Sequence, residues 1–233
     1  MKLIGAGLPR TATTTQWIAL NKLGVPTYHM KDMMADMEKG VAIWRRAYNG
    51  EQPWDEVFEG FEATVDWPAA FHWRELMEYY PDAKVLLSVR DGDSWARSMA
   101  DTIVQIYFGD SFMRSVCQAR YRIDPVWASW VDLNIDTCWK GPRGALANTF
   151  GEREPLIEAM NRWNDEVKAT VPADRLIVWT PQDGWDPICE ALGLPVPDEP
   201  LPHAFDTEVF RSSITGGAIK AISEYWAAQH PEG

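Results

Sequence analysis

The first 24 residues constrain the fold more than any other stretch of the chain. Residues 2–7, Lys-Leu-Ile-Gly-Ala-Gly, are a short apolar run that ends in glycines, the pattern of a buried strand. Residues 8–13 make a loop. Residues 14–23, Thr-Thr-Gln-Trp-Ile-Ala-Leu-Asn-Lys-Leu, then carry a helical pattern that Gly24 stops. A strand passes through one short loop straight into a helix.

The rest of the chain repeats that alternation. Further strands are expected at 25–29, 61–65, 84–89 and 176–179, the run Lys-Val-Leu-Leu-Ser-Val at 84–89 being the clearest. Helices are expected at 31–48, 68–80, 93–107, 110–121, 153–169 and 184–192, with a short helix or turn at 54–61. The segment 122–150 reads as irregular and aromatic, and 207–229 reads as helix interrupted at Gly216-Gly217. Strands alternating with helices imply an α/β fold of three layers, with a central, mostly parallel sheet covered on both faces. The 233 residues fit one domain, 1–233. Ligands of such sheets lie beyond the carboxyl ends of the strands, which directs attention to residues 8–15, 29, 66, 90–98 and 179–185.

Charge and composition remove several classes. The balance of 34 acidic against 22 basic residues, a net charge of −12, disfavours a nucleic-acid partner while leaving room for a small anionic ligand at a local basic cluster. No run of 18 apolar residues is present, so no membrane span is expected, and the first ten residues do not read as a signal peptide. Three cysteines, Cys117, Cys138 and Cys189, have neither disulfide nor zinc spacing, which points to the cytoplasm. No metal-ligating constellation stands out. The 13 tryptophans can fill core or line an apolar pocket.

The first loop carries chemistry. Gly5-Ala-Gly7-Leu-Pro9-Arg10 opens like a dinucleotide fingerprint, but Arg10 occupies the third glycine position and no acidic residue ends the second strand. A Walker A loop fails for lack of Gly-Lys-[Ser/Thr]. Leu8-Pro9-Arg10-Thr11-Ala12-Thr13-Thr14-Thr15 instead makes an anion cradle. Unpaired amides at a helix start, the positive end of its dipole, threonine hydroxyls and a fixed guanidinium converge there. Helix capping accounts for one threonine and not for four beside an arginine.

These residues resemble the PAPS-dependent sulfotransferases. That family's phosphosulfate-binding loop, Pro-[Lys/Arg]-[Ser/Thr]-Gly-Thr-[Thr/Ser], stands here as Pro9-Arg10-Thr11-Ala12-Thr13-Thr14. Its second signature, an apolar strand, then Arg, then Ser eight residues on, stands as Val85 to Val89, Arg90 and Ser98. Tyr28-His29-Met30, Val65-Asp66-Trp67-Pro68, Tyr80 to Val85, Gly184-Trp185-Asp186-Pro187 and Pro200-Leu201-Pro202-His203 are similar to a bacterial and lower-eukaryote branch, and the resemblance runs from residue 2 to about 206. Two departures are Ala12 in place of the loop glycine and Gly92 in place of the proline after Asp91.

The resemblance implies a P-loop-like fold and transfer of a sulfuryl group from PAPS to a hydroxyl or amine of a small acceptor, leaving PAP, without metal. It implies that residues 10–15, including Thr11, Ala12, Thr13, Thr14 and Thr15, hold the 5′ end, that Arg90 and Ser98 hold the 3′-phosphate, and that Arg10 stabilises charge during transfer. Asp66 takes the place of the family's acid–base residue, and His29, also after a strand, can be an alternative base, a positioning group or a structural histidine. Trp179 and Thr180 fall where the family approaches the adenine, and Trp179 can equally be a core residue. Tyr107, Phe108, Trp127, Trp130 and Trp139 are candidates for an aromatic acceptor pocket. Two rival readings remain open: a P-loop nucleotide kinase or NTPase, and a non-catalytic PAP(S)-binding protein for which Ala12 is the main support.

Overall fold

The computed structural model describes residues 1–140, 143–204 and 207–231. Its strands are β1 (Leu3–Gly5), β2 (Thr27–Tyr28), β3 (Ala63–Thr64), β4 (Lys84–Ser88) and β5 (Leu176–Trp179). The first helices are α1 (Thr13–Lys22), α2 (Met30–Ala35), α3 (Met37–Tyr48), α4 (Trp54–Val57), α5 (Trp73–Tyr79) and α6 (Gly92–Asp101). Then come α7 (Ile103–Tyr107), α8 (Phe112–Ile123), α9 (Pro125–Cys138), α10 (Arg153–Thr170), α11 (Asp186–Leu192) and α12 (Thr207–Gln229). The five strands form one sheet in the order β2-β3-β1-β4-β5, and every pairing is parallel.

Period-two alternation along the strands builds the layers. Ile4, Val85 and Leu87 face a large core that holds Trp44, Leu76, Trp95 and Trp163 from α3, α5, α6 and α10. Leu3, Leu86, Ile177 and Trp179 face the other way, onto Leu20 of α1 and Ile188 of α11. Both faces are therefore covered, as a parallel sheet requires.

The helices differ from expectation in four places, each with a local cause. The stretch 31–48 is two helices, because Asp36 leaves helical geometry and caps α3 by accepting from the Lys39 amide at 3.3 Å. The stretch 93–107 divides at Thr102, whose backbone (φ −125°, ψ −88°) is not helical and whose hydroxyl donates back to the Ser98 carbonyl. The segment expected to be irregular contains α9, which starts on an Asp124 cap with Pro125 in its first turn. No break occurs at Gly216-Gly217: α12 runs through both glycines, at a point where nothing lies near their α-carbons.

Candidate active site

Parallel pairing brings all five carboxyl ends to one edge of the sheet, and the strand order arranges their next residues in a row. His29 follows β2, Asp66 lies just beyond β3, the loop 6–12 follows β1, Arg90 lies just beyond β4, and Thr180 follows β5. These residues line one cleft of about 1240 Å³ together with Arg10, Thr11, Ala12, Thr13, Thr14, Thr15 and Ser98. Every residue expected from the sequence to bind phosphate or act as base is in its wall.

The loop after β1 is held rigidly by its neighbours. Gly7 is required there, since a β-carbon would fall 1.9 Å from Ser88 Oγ. Ser88 Oγ lies 2.6 Å from Thr11 Oγ1, which itself donates to the Leu8 carbonyl at 2.6 Å. The Thr11 hydroxyl hydrogen is thus engaged within the loop, so Thr11 pins the loop to β4 and offers the cleft no hydroxyl donor. Two indoles complete the clamp: Trp163 Nε1 donates to the Ala6 carbonyl and Trp95 Nε1 to the Pro9 carbonyl, both at 2.8 Å. Neither anchor is visible as a motif, because each lies far along the chain from the loop it holds.

Ala12 has φ 68° and ψ 31°, a left-handed backbone carried by alanine at the position where the resemblance expects glycine. Arg10 (φ 69°) and Asp66 (φ 70°) also lie in this region. Such residues persist where the surroundings over-determine them, and here three of them meet in one cleft.

The cradle itself is electropositive. Ala12 cannot cap α1 with a side chain, the first turn contains no acidic residue, and the first intrahelical bond runs from Gln16 N–H to the Ala12 carbonyl at 3.1 Å. The amides of Thr13, Thr14 and Thr15 therefore have no helical partner. Arg10 Nε donates to Ser98 Oγ at 3.0 Å, and Arg90 Nη1 donates to the Arg10 carbonyl at 3.1 Å. Asp91 does not pair with Arg90: its Oδ1 caps α6 on the Ser94 amide at 2.9 Å, while Asp93 pairs with Arg153. Among the described residues Arg90 has no ion pair. Uncapped amides and two guanidiniums at one mouth suit a ligand with two anionic groups, and the donor set fits a 3′,5′-bisphosphorylated nucleotide.

At the other end of the row, His29 Nε2 lies 3.2 Å from Asp66 Oδ2. His29 Nδ1 accepts the Lys31 amide at 3.1 Å, so in the neutral ring the proton sits on Nε2 and faces the carboxylate. The approach lies off the hydrogen-bond line, leaving Nε2 buried at ion-pair distance without a linear partner. Burial lowers the His29 pKa despite the opposing charge of Asp66, so the ring is neutral near pH 7. The two candidate bases are therefore one close pair, with the His29 Nε2–H on the side of the Asp66 carboxylate.

Beyond Asp66 the cleft becomes apolar. Met30 and Met34, Ile103, Ile106 and Tyr107, and Trp130, Asn134 and Cys138 of α9 line it. Trp67 Nε1 donates to Thr137 Oγ1 of α9 at 2.8 Å, which holds the neighbouring Asp66 at the base of this arm. Of the aromatic candidates, Tyr107 and Trp130 are in the wall, whereas Phe108, Trp127 and Trp139 are not. Trp179 is fully buried and donates to the Gly184 carbonyl at 2.9 Å, so it is core, and Thr180 with Pro181 and Gln182 lines the cleft instead. Phe210 of α12, unmarked in the sequence, has its ring 5.1 Å from the Arg10 guanidinium carbon.

Residues 2–210 match the family model described as a sulfotransferase domain. A protein of Aspergillus versicolor, Ava biosynthesis cluster protein M, is 28% identical over 255 aligned positions, spanning 97% of this chain and 86% of its own length.

Proposed function

Because this chain belongs to the sulfotransferase family, we propose that it is an enzyme that moves a sulfuryl group from PAPS to a hydroxyl or amine of a small, largely apolar acceptor. The observation that carries this reading is the row at the sheet edge. An uncapped helix start with Arg10, Arg90 and Ser98 lies toward one end, and the Asp66–His29 pair opens into an apolar arm at the other.

Each residue has a part that its position supports. PAPS, when bound, supplies a sulfuryl group on a phosphate leaving group. The amides of residues 13–15 and Arg10 hold the 5′ phosphosulfate end and balance the charge that grows on the phosphate oxygen as the sulfur–oxygen bond breaks. Arg90 and Ser98 take the 3′-phosphate. Asp66 takes the proton from the acceptor hydroxyl as that oxygen bonds to sulfur. His29, its proton directed at Asp66, keeps one carboxylate oxygen in place so that the other is free for the acceptor. The apolar arm excludes water, which would otherwise compete for the sulfuryl group.

The relative's place in a biosynthesis cluster agrees with a small-molecule acceptor. Three free, buried cysteines suit a reducing compartment, and we assign the protein to the cytoplasm. No helix among the described residues is long and apolar enough to cross a membrane.

Transfer of labelled sulfate from PAPS to a panel of phenols, aliphatic alcohols and amines tests the activity. PAP should raise the melting temperature well beyond ATP–magnesium or NAD, because a ligand that binds only the folded state stabilises it. A larger shift with NAD than with PAP would overturn the assignment.

A further inference from the structure

The apolar arm contains a polar side chain, Asn134, that the proposed chemistry does not use. Trp130, Asn134 and Cys138 recur every four residues along α9 and form a stripe facing the cleft. Asn134 is only 6% exposed and lies among apolar groups. Its Nδ2 donates to the Trp130 carbonyl at 2.8 Å. Since a carbonyl can only accept, this bond fixes which end of the amide is which. Oδ1 is left with no hydrogen bond among the described residues, in a side chain whose remaining surface belongs to the cleft wall.

An acceptor oxygen that opens only onto a mostly apolar cleft loses its water when a ligand fills that cleft, and the loss is costly unless the ligand supplies a donor. Oδ1 can only accept, so it discriminates between ligand groups, whereas the nearby Tyr107 hydroxyl can donate or accept and does not. The spacing gives the second constraint. Trp67, the chain neighbour of Asp66, donates to Thr137, the chain neighbour of Cys138, at 2.8 Å, and Asn134 is one helical turn from Cys138, about 5–6 Å between β-carbons. That is roughly the breadth of one six-membered ring.

We infer that Asn134 reads the acceptor: the arm takes a ring-sized, mostly apolar molecule that presents its reacting hydroxyl to Asp66 and a second hydrogen-bond donor, on the far side of the ring, to Asn134 Oδ1. This rests on the sulfuryl-transfer reading for the identity of the reacting group, but the recognition itself is a binding property that can be read without turnover.

Two isomeric phenols make the test, 4-(hydroxymethyl)phenol, which carries a second donor, and 4-methoxyphenol, which carries only an acceptor there. Their dissociation constants are measured by tryptophan quenching on the PAP-saturated protein. Wild type should prefer the hydroxymethyl isomer by about tenfold, the equivalent of one net hydrogen bond. Asn134→Leu should abolish the preference, and Asn134→Asp, which keeps an acceptor oxygen, should retain it. The PAP-induced rise in melting temperature reports whether the leucine variant is folded. If it is not, Asn134→Ser, too short to reach, replaces it. Equal binding of the two isomers to wild type overturns the inference by itself, as does a preference that survives in the leucine or serine variant. Asn134-dependent discrimination without sulfate transfer to either phenol would uphold the recognition and count against the sulfuryl-transfer reading.

Discussion

Arg10 Nε donates to Ser98 Oγ at 3.0 Å, which ties the loop after β1 to the helix after β4 across the mouth of the cleft. Arg90 joins the same node through its bond to the Arg10 carbonyl. The groups expected to hold the two ends of the nucleotide thus support one another.

Arg90→Ala should weaken PAP by about tenfold, the scale of one charge-assisted hydrogen bond at an exposed position, while changing affinity for adenosine 5′-phosphosulfate little, since that ligand has no 3′-phosphate. Ser98→Ala should act in the same direction and less. Calorimetry with both nucleotides decides it, and equal losses for the two would remove Arg90 from the 3′-phosphate contact.

Ala12→Gly should stabilise the protein. A left-handed backbone costs an L-residue roughly 1–2 kcal/mol, and glycine avoids this at Ala12, where φ is 68°. The freer unfolded chain of the glycine variant takes back about 0.4–1 kcal/mol, so a net gain of up to about 1.6 kcal/mol remains. Urea unfolding midpoints measure it. A glycine variant less stable than wild type would show that the alanine methyl packs better than its backbone suggests.

How much of this was legible in the sequence depends on distance along the chain. Apolar runs marked every strand, and the strand ends pointed to Arg10, His29, Asp66 and Arg90 because a parallel sheet gathers its carboxyl ends. That His29 touches Asp66 was not legible, because it follows from β2 pairing with β3, a choice made in three dimensions. The helix α9 was hidden for a different reason. Its polar face is narrow, carried by Ser129, Asp132 and Asp136, while Trp127, Trp130, Val131, Leu133, Asn134, Thr137 and Cys138 are buried, so the helical period stands out weakly. Only Asp124-Pro125 signalled its start. The indole clamps of Trp95 and Trp163 on the loop gave no local signal at all.

Acid should destabilise the protein from about pH 6.5 downward. Burial lowers the pKa of both His29 and His72. Each then binds a proton more readily unfolded than folded below the unfolded value of about 6.5, so stability falls as pH drops from there toward the folded pKa and is unaffected above it. The slope can reach about 1.4 kcal/mol per pH unit for each histidine. Glu75 is held down at about 2 by His72 and Arg143 against the effect of its own burial, and its contribution is lost only below the usual glutamate range, in a separate window. Unfolding free energies between pH 7.5 and 5 isolate the histidines. The double variant His29→Gln, His72→Gln should flatten the slope, and an unchanged slope would place the acid sensitivity elsewhere.

Asp66→Asn tests the base. The amide keeps the size of the side chain and can still accept the His29 Nε2 proton, so the pair keeps its arrangement, but it cannot take a proton from the acceptor. On a phenol that wild type turns over, kcat should fall by roughly 10²–10⁴, the usual share of positioned proton transfer. PAP affinity should hold, because Asp66 is in the stretch of the cleft wall after β3, while Arg90 and Ser98, proposed to hold the 3′-phosphate, follow β4. His29→Asn should cost less than Asp66→Asn, since its ring proton is directed at the carboxylate and its other nitrogen is bound to the Lys31 amide. If the ranking reverses, with Asp66→Asn active and His29→Asn inactive, proton transfer runs through the imidazole. That would require the ring to give up its Nδ1 bond to Lys31 and present a free nitrogen to the acceptor, a rearrangement of the α2 cap that loss of helix-end protection in hydrogen exchange would reveal.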